Sequence, residues 1–163
     1  MDKLIIKGGS KISGSVNVHG SKNSALPIIV SSLLSEKTLK LSNVPNVVDV
    51  INLIKLLKNY GVKIEHKKNK LKINPSKIKN LSADYDVVRK MRASILILGP
   101  LLSRFGEARI SLPGGCAIGT RPIDIHLAGL SKLGANFEIQ NGFVVGSVKS
   151  QLIGNKIKLA FPS

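Results

Sequence analysis

The chain repeats itself, and the repeat limits what it can fold into. Leu33-Leu34 recurs as Leu101-Leu102 and Pro45 as Pro113, both 68 positions on, and Gly61 recurs as Gly134, 73 positions on. Each copy reads helix, strand, helix, strand, strand. A unit of this size cannot cover its own apolar face, so neighbouring copies must stack and share a core. Apolar helices set between strands then call for an α/β fold in which sheets cover a helical layer. The second copy is five residues longer, and the extra length falls between Pro113 and Gly134.

Taken in order, residues 3–6 and 14–18 read as short strands, Val16 and Val18 alternating with Ser15, Asn17 and His19. Ala25 to Leu34 reads as a helix, with Pro27 in its first turn and Ser21, Asn23 or Ser24 as its cap. Lys22 then stands beside free backbone N–H groups at a positive helix end. That is an anion site, or else an ordinary capped helix with a solvated lysine. Residues 38–42 are a strand. Val47 to Tyr60 is amphipathic, with Val50, Leu53, Ile54 and Leu57 on one side, and Gly61 stops it.

Val62 to Glu65 and Lys70 to Ile73 alternate as strands around a lysine-rich turn, and Pro75 to Ser82 is a polar connection. A long helix is expected within Tyr85 to Phe105, broken near Pro100. Glu107 to Leu112 is a strand, and Ile123 to Leu133 a helix stopped by Gly134. Asn136 to Ile139 and Phe143 to Val148 form a hairpin around Asn141-Gly142. Lys156 to Leu159 closes the series as a strand, with no helix after it, so a third unit is expected beyond the two.

The added length of the second copy lies in Ser111-Leu-Pro-Gly-Gly-Cys-Ala-Ile-Gly-Thr-Arg-Pro-Ile-Asp-Ile125, which holds the only cysteine, Cys116. Free cysteines are usually small buried hydrophobes. This one sits in a polar, glycine-rich loop, five residues before Arg121, whose planar fork suits phosphate or carboxylate. A thiol with an ordinary pKa of about 8.5 can act as general acid or as nucleophile. The pairing of thiol and guanidinium points to an anionic substrate.

Composition narrows the classes. One cysteine rules out an internal disulfide and argues against a structural zinc site. The first residues show no signal peptide, and no apolar run approaches the roughly 20 residues of a membrane span. These features point to a cytoplasmic protein without a membrane partner. The net charge of +16 raises the question of nucleic acid, but the lysines are spread along the chain and aromatics make up only 4%. That is too few for a stacking platform and argues against a nucleic-acid partner.

Gly20-Ser-Lys-Asn-Ser-Ala-Leu-Pro27, Met91-Arg-Ala-Ser94 and Leu112-Pro-Gly-Gly-Cys-Ala-Ile-Gly-Thr-Arg-Pro-Ile-Asp-Ile-His126, with the repeat spacing, resemble the UDP-N-acetylglucosamine 1-carboxyvinyltransferases. These are the enolpyruvyl transferases that open bacterial peptidoglycan synthesis, and the resemblance covers their N-terminal part. It implies two inside-out α/β barrel domains of three repeated units each, with the active site in the cleft between them. Residues 1–21 would be a strand segment of the far domain, and residues 22–163 about two of the three units of the near domain.

The resemblance also implies roles. Cys116 would protonate the methylene carbon of phosphoenolpyruvate; the same thiol forms an adduct with that substrate and is the target of an epoxide antibiotic. Lys22, Asn23 and Arg121 would hold phosphoenolpyruvate. Arg92, Ser163 and the stretch Arg121, Pro122, Ile123, Asp124 and Ile125 would bind the nucleotide sugar. No cofactor and no metal are implied. The carboxylate base and carboxylate-binding arginines of the second domain have no counterpart here. A missing C-terminal half or partner chain, self-association and no useful turnover by the chain alone are therefore expected. The sister transferase acting on shikimate 3-phosphate, a non-catalytic fragment or split half, and a basic nucleic-acid module are the alternatives.

Overall fold

A computed structural model describes residues 3–9, 11–82, 92–112 and 123–159, with the backbone only at Arg92 and Ala93. The first copy comprises α1 (Lys22–Ser31), a 3₁₀ turn (Ser32–Leu34), β1 (Leu39–Leu41), α2 (Val48–Asn59), β2 (Lys63–Lys67) and β3 (Lys70–Asn74). The second comprises a 3₁₀ stretch (Arg92–Ile97), α3 (Leu98–Phe105), β4 (Glu107–Ser111), α4 (Asp124–Lys132), β5 (Ala135–Gln140) and β6 (Phe143–Val148). The sheets have the same topology, β1-β3-β2 and β4-β6-β5, and are antiparallel throughout. The repeat read from the sequence is therefore a repeat of architecture.

One core serves both copies. Ile29 and Leu33 from the first helical segment, Leu53 and Leu57 from α2, and Leu98 and Leu101 from α3 are fully buried together. Ile64, Leu71 and Ile73 close it from one sheet, and Ala108, Ile110 and Val144 from the other. Alternate strand residues such as Lys40, Lys72, Glu65 and Arg109 face solvent.

α2 forms because its apolar residues recur on one side: Val50, Leu53, Ile54 and Leu57 are buried as expected, joined by Leu56. Gly61 ends it at φ +92°, where a Cβ would lie 2.7 Å from the Lys77 carbonyl oxygen. The β5–β6 turn is Asn141-Gly142 with both φ positive, the conformation that matches strand twist in a two-residue hairpin.

Arg104 of α3 ties the copies together. Its guanidinium donates to the carbonyls of Leu33 at 3.3 Å, Ser35 at 3.3 Å and Pro75 at 3.1 Å, and pairs with Glu36 at 3.0 Å. A second seam runs along the connection between the copies, where the Arg109 amide donates to the Leu81 carbonyl at 3.1 Å.

Four expectations need correction. α1 starts at Lys22, so Pro27 lies inside the helix rather than in its first turn. Pro27 is exposed, so the Asn23 carbonyl that loses its partner is on the solvent side. Ser21 is the N-cap residue, but its side chain makes no capping bond; its backbone carbonyl receives the Ala25 amide at 3.0 Å. The long helix before Phe105 is 3₁₀ from Arg92 and becomes α only at Leu98. Pro100 thus falls in the first turn of α3, where its missing N–H costs least. Finally, residues 3–6, 14–18 and 156–159 form no strand: a strand requires a hydrogen-bonding neighbour, and none pairs with them among the described residues. Leu4, Ile5, Ile6, Val16 and Val18 are consequently exposed.

Candidate functional site

Lys22 and Asn23 occupy the first turn of α1, both exposed. Their position is set by a close approach just upstream. The Gly20 amide donates to the Asn43 Oδ1 at 3.2 Å, and a Cβ on Gly20 would collide with the Asn43 carbonyl oxygen. Asn43 itself sits at φ +57°. Only glycine fits here, and the loop entering α2 thereby anchors the start of α1.

The lysine is not free. Its Nζ lies 2.8 Å from the Oδ2 of Asp49, in the first turn of α2. Two helix N-termini therefore meet at this ion pair, and both present positive partial charge. An anion placed there would meet the backbone N–H groups of two first helical turns and an ammonium together. The 3₁₀ stretch that begins at Arg92 packs against both α1 and α2.

A second group of expected residues is on α4. Ile123 is half-buried against the core, while Asp124 and Ile125 line a hollow of about 300 Å³ with Ala128, Gly129, Lys132, Ile157, Lys158 and Leu159. α4 packs mainly on β5, whereas α1 packs on α2, so the two groups stand on separate parts of the fold. Cys116, Arg121, Pro122 and Ser163 lie outside the described residues.

Two participants escaped the sequence reading. Asp49 carries no distinct signal in the sequence, since an acidic residue in a first helical turn has an ordinary explanation in the helix dipole. Residues 157–159 were read only as a strand. A wider depression, about 440 Å³, lies on the outer face of the first sheet among Lys40, Lys67, Lys70 and Lys72, with the Lys72–Glu65 pair within it. None of the expected site residues lines it among the described residues, and its walls are largely flexible lysine stems. Among the described residues no cluster of ligands could hold a metal, and no helix is long and apolar enough to cross a membrane.

Paired three-stranded sheets over a shared helical core are the fold of the enolpyruvyl transferases. The enolpyruvyl transferase NikO from Streptomyces tendae superposes with a TM-score of 0.75 at 21% identity, over 90% of this chain and 32% of that one. An EPSP synthase from Acinetobacter baumannii gives 0.68 at 19%, over 92% and 35%. The chain belongs to the EPSP synthase (3-phosphoshikimate 1-carboxyvinyltransferase) family, whose model matches residues 6–163. Within that family its sequence is 53% identical over 157 residues to a UDP-N-acetylglucosamine 1-carboxyvinyltransferase of Campylobacter fetus. It is 54% identical over 156 residues to one of Campylobacter hominis. These alignments take in 96% and 94% of this chain but only 38% and 37% of the relatives, so the chain spans under two-fifths of their length.

Proposed function

We propose that this chain carries the phosphoenolpyruvate-binding half of an enolpyruvyl transfer to the 3-hydroxyl of UDP-N-acetylglucosamine, the committed step into peptidoglycan in the cytoplasm. The observation that carries the reading is Lys22 at the joined N-termini of α1 and α2, where an ammonium and two positive helix ends suit phosphate or carboxylate. The identity of 53–54% to relatives bearing that name supports the nucleotide sugar over shikimate 3-phosphate as acceptor.

In this reading Cys116 gives its proton to the methylene carbon of phosphoenolpyruvate. The sugar oxygen bonds to the adjacent carbon and its own proton passes to a base supplied elsewhere. Loss of a methyl proton with cleavage of the carbon–oxygen bond to phosphate then restores the double bond. Lys22, Asn23 and Arg121 hold the phosphate as charge builds, and fixed cations of this kind are often a leading catalytic contribution. Arg92, Pro122, Ile123, Asp124, Ile125 and Ser163 take the nucleotide sugar; the hollow at Asp124 and Ile125 supports that assignment for those two. The uncovered apolar side chains of Leu4, Ile5, Ile6, Val16 and Val18 support residues 1–21 as a strand segment that pairs outside residues 22–163.

The test is phosphate release from phosphoenolpyruvate. The 163-residue chain alone should release none. Mixed with a polypeptide covering the rest of the relatives' length, it should release phosphate with UDP-N-acetylglucosamine, and Cys116→Ala should abolish the release. Turnover with shikimate 3-phosphate instead, or none in the mixture, would refute the reading.

A further inference from the structure

Lys22 and Asp49 are mismatched in their surroundings. Asp49 is well placed, because a carboxylate in the first turn of α2 opposes the positive helix end. Lys22 is badly placed, because an ammonium in the first turn of α1 adds to one. Both side chains are about half in solvent, 49% and 38% exposed. An ion pair so exposed is weak and opens readily. When it opens, Asp49 keeps its favourable helix terminus, whereas Lys22 is left beside two positive ends with no counter-charge. A polar anion is what that arrangement then accepts.

We infer that Asp49 is a placeholder: it holds the Lys22 ammonium at the joined N-termini of α1 and α2 while no anion is bound and yields it to incoming phosphoenolpyruvate. This rests on the reading of Lys22 as a ligand for that substrate. Asp49 is thus a positioning residue that also competes with the anion. A carboxylate 2.8 Å from the ammonium both orients it and repels a second negative charge. Replacing Asp49 by a neutral residue of the same shape should tighten anion binding and free the amine.

The experiment follows acylation of Lys22 by an amine-reactive reagent in the 163-residue chain, read by mass spectrometry as a ratio to Lys55, a solvent-facing lysine of α2. Normalising to Lys55 removes any general change in exposure, and Asp49→Glu is the conservative control. In Asp49→Asn the ratio should rise about two- to fivefold, the range for a half-exposed pair, and Asp49→Glu should return it toward the original. Phosphoenolpyruvate should then protect Lys22 in Asp49→Asn at a severalfold lower concentration than in the unmodified chain. An unchanged ratio in Asp49→Asn overturns the proposal. A raised ratio with equal protecting concentrations also overturns it but leaves phosphoenolpyruvate binding at Lys22 standing. A raised ratio with no protection in either protein overturns both.

Discussion

Replacing Arg104 by alanine should cost the chain about 3 kcal/mol of stability. The side chain is only 14% exposed and closes the junction between the two copies. It serves three backbone carbonyls, of which those of Leu33 and Pro75 are partly buried and that of Ser35 is open to water. A hydrogen bond to a charged donor contributes about 1.5–3 kcal/mol at good geometry. At 3.1–3.3 Å these are long, so the two buried ones are taken near the low end, about 1.5 kcal/mol each. The Ser35 bond is replaced by water at little cost. Glu36 is 76% exposed, so its pairing adds a few tenths of a kcal/mol, roughly, after solvent screening. Urea unfolding followed by circular dichroism measures the sum. Arg104→Lys should recover less than half, because an ammonium lacks the planar fork that spans several carbonyls. Glu36→Gln should be nearly silent. A loss below about 1 kcal/mol in Arg104→Ala, against the unmet-carbonyl cost, would show that the junction is held by apolar packing alone.

Two further outcomes follow from single buried groups. The Tyr60 hydroxyl is buried without a hydrogen-bond partner among the described residues, and burial raises its pKa above the ordinary 10.0. The folded state therefore keeps the phenol protonated where the unfolded chain loses its proton, so this group's contribution to stability falls as pH rises above 10. Tyr60→Phe should remove that fall and stabilise the chain at neutral pH by about 1 kcal/mol, measured as unfolding midpoints at pH 7 and pH 11; a loss at pH 7 would contradict the unpaired hydroxyl. In β6, a Cβ on Gly146 would lie 2.8 Å from the Phe137 ring and 3.1 Å from Leu102. Gly146→Ala should cost about 1–3 kcal/mol by overpacking, and Phe137→Leu in the same chain should recover part of it. Equal stability of Gly146→Ala and the unmodified chain would mean that the ring moves aside freely.

What could be read directly from residue order was whatever a few neighbouring positions encode. The period of Val50, Leu53, Ile54 and Leu57 announced α2, Asn141-Gly142 announced its hairpin, and the recurring Leu-Leu, Pro and Gly announced the doubled unit. Local signals misled where two structures share one signature. Ser21, Asn23 and Ser24 all resemble caps, so residue order alone leaves the start of α1, and with it the place of Pro27, undetermined. Alternation at Val16 and Val18 says that one face is apolar, but a strand also needs a neighbour to bond to, and residue order does not say where that neighbour is. The thiol loop around Cys116 suggests chemistry through its composition, and that reading falls outside the described residues.

Tertiary structure decided everything that depends on stretches distant in the chain. It set Asp49 against Lys22, brought the Arg104 guanidinium to carbonyls 71 and 69 residues earlier, and pressed Gly20 onto Asn43. Each of these is a directional contact effective over a few ångströms. Its existence depends on how two helices or loops are packed together, which no pattern within either segment specifies.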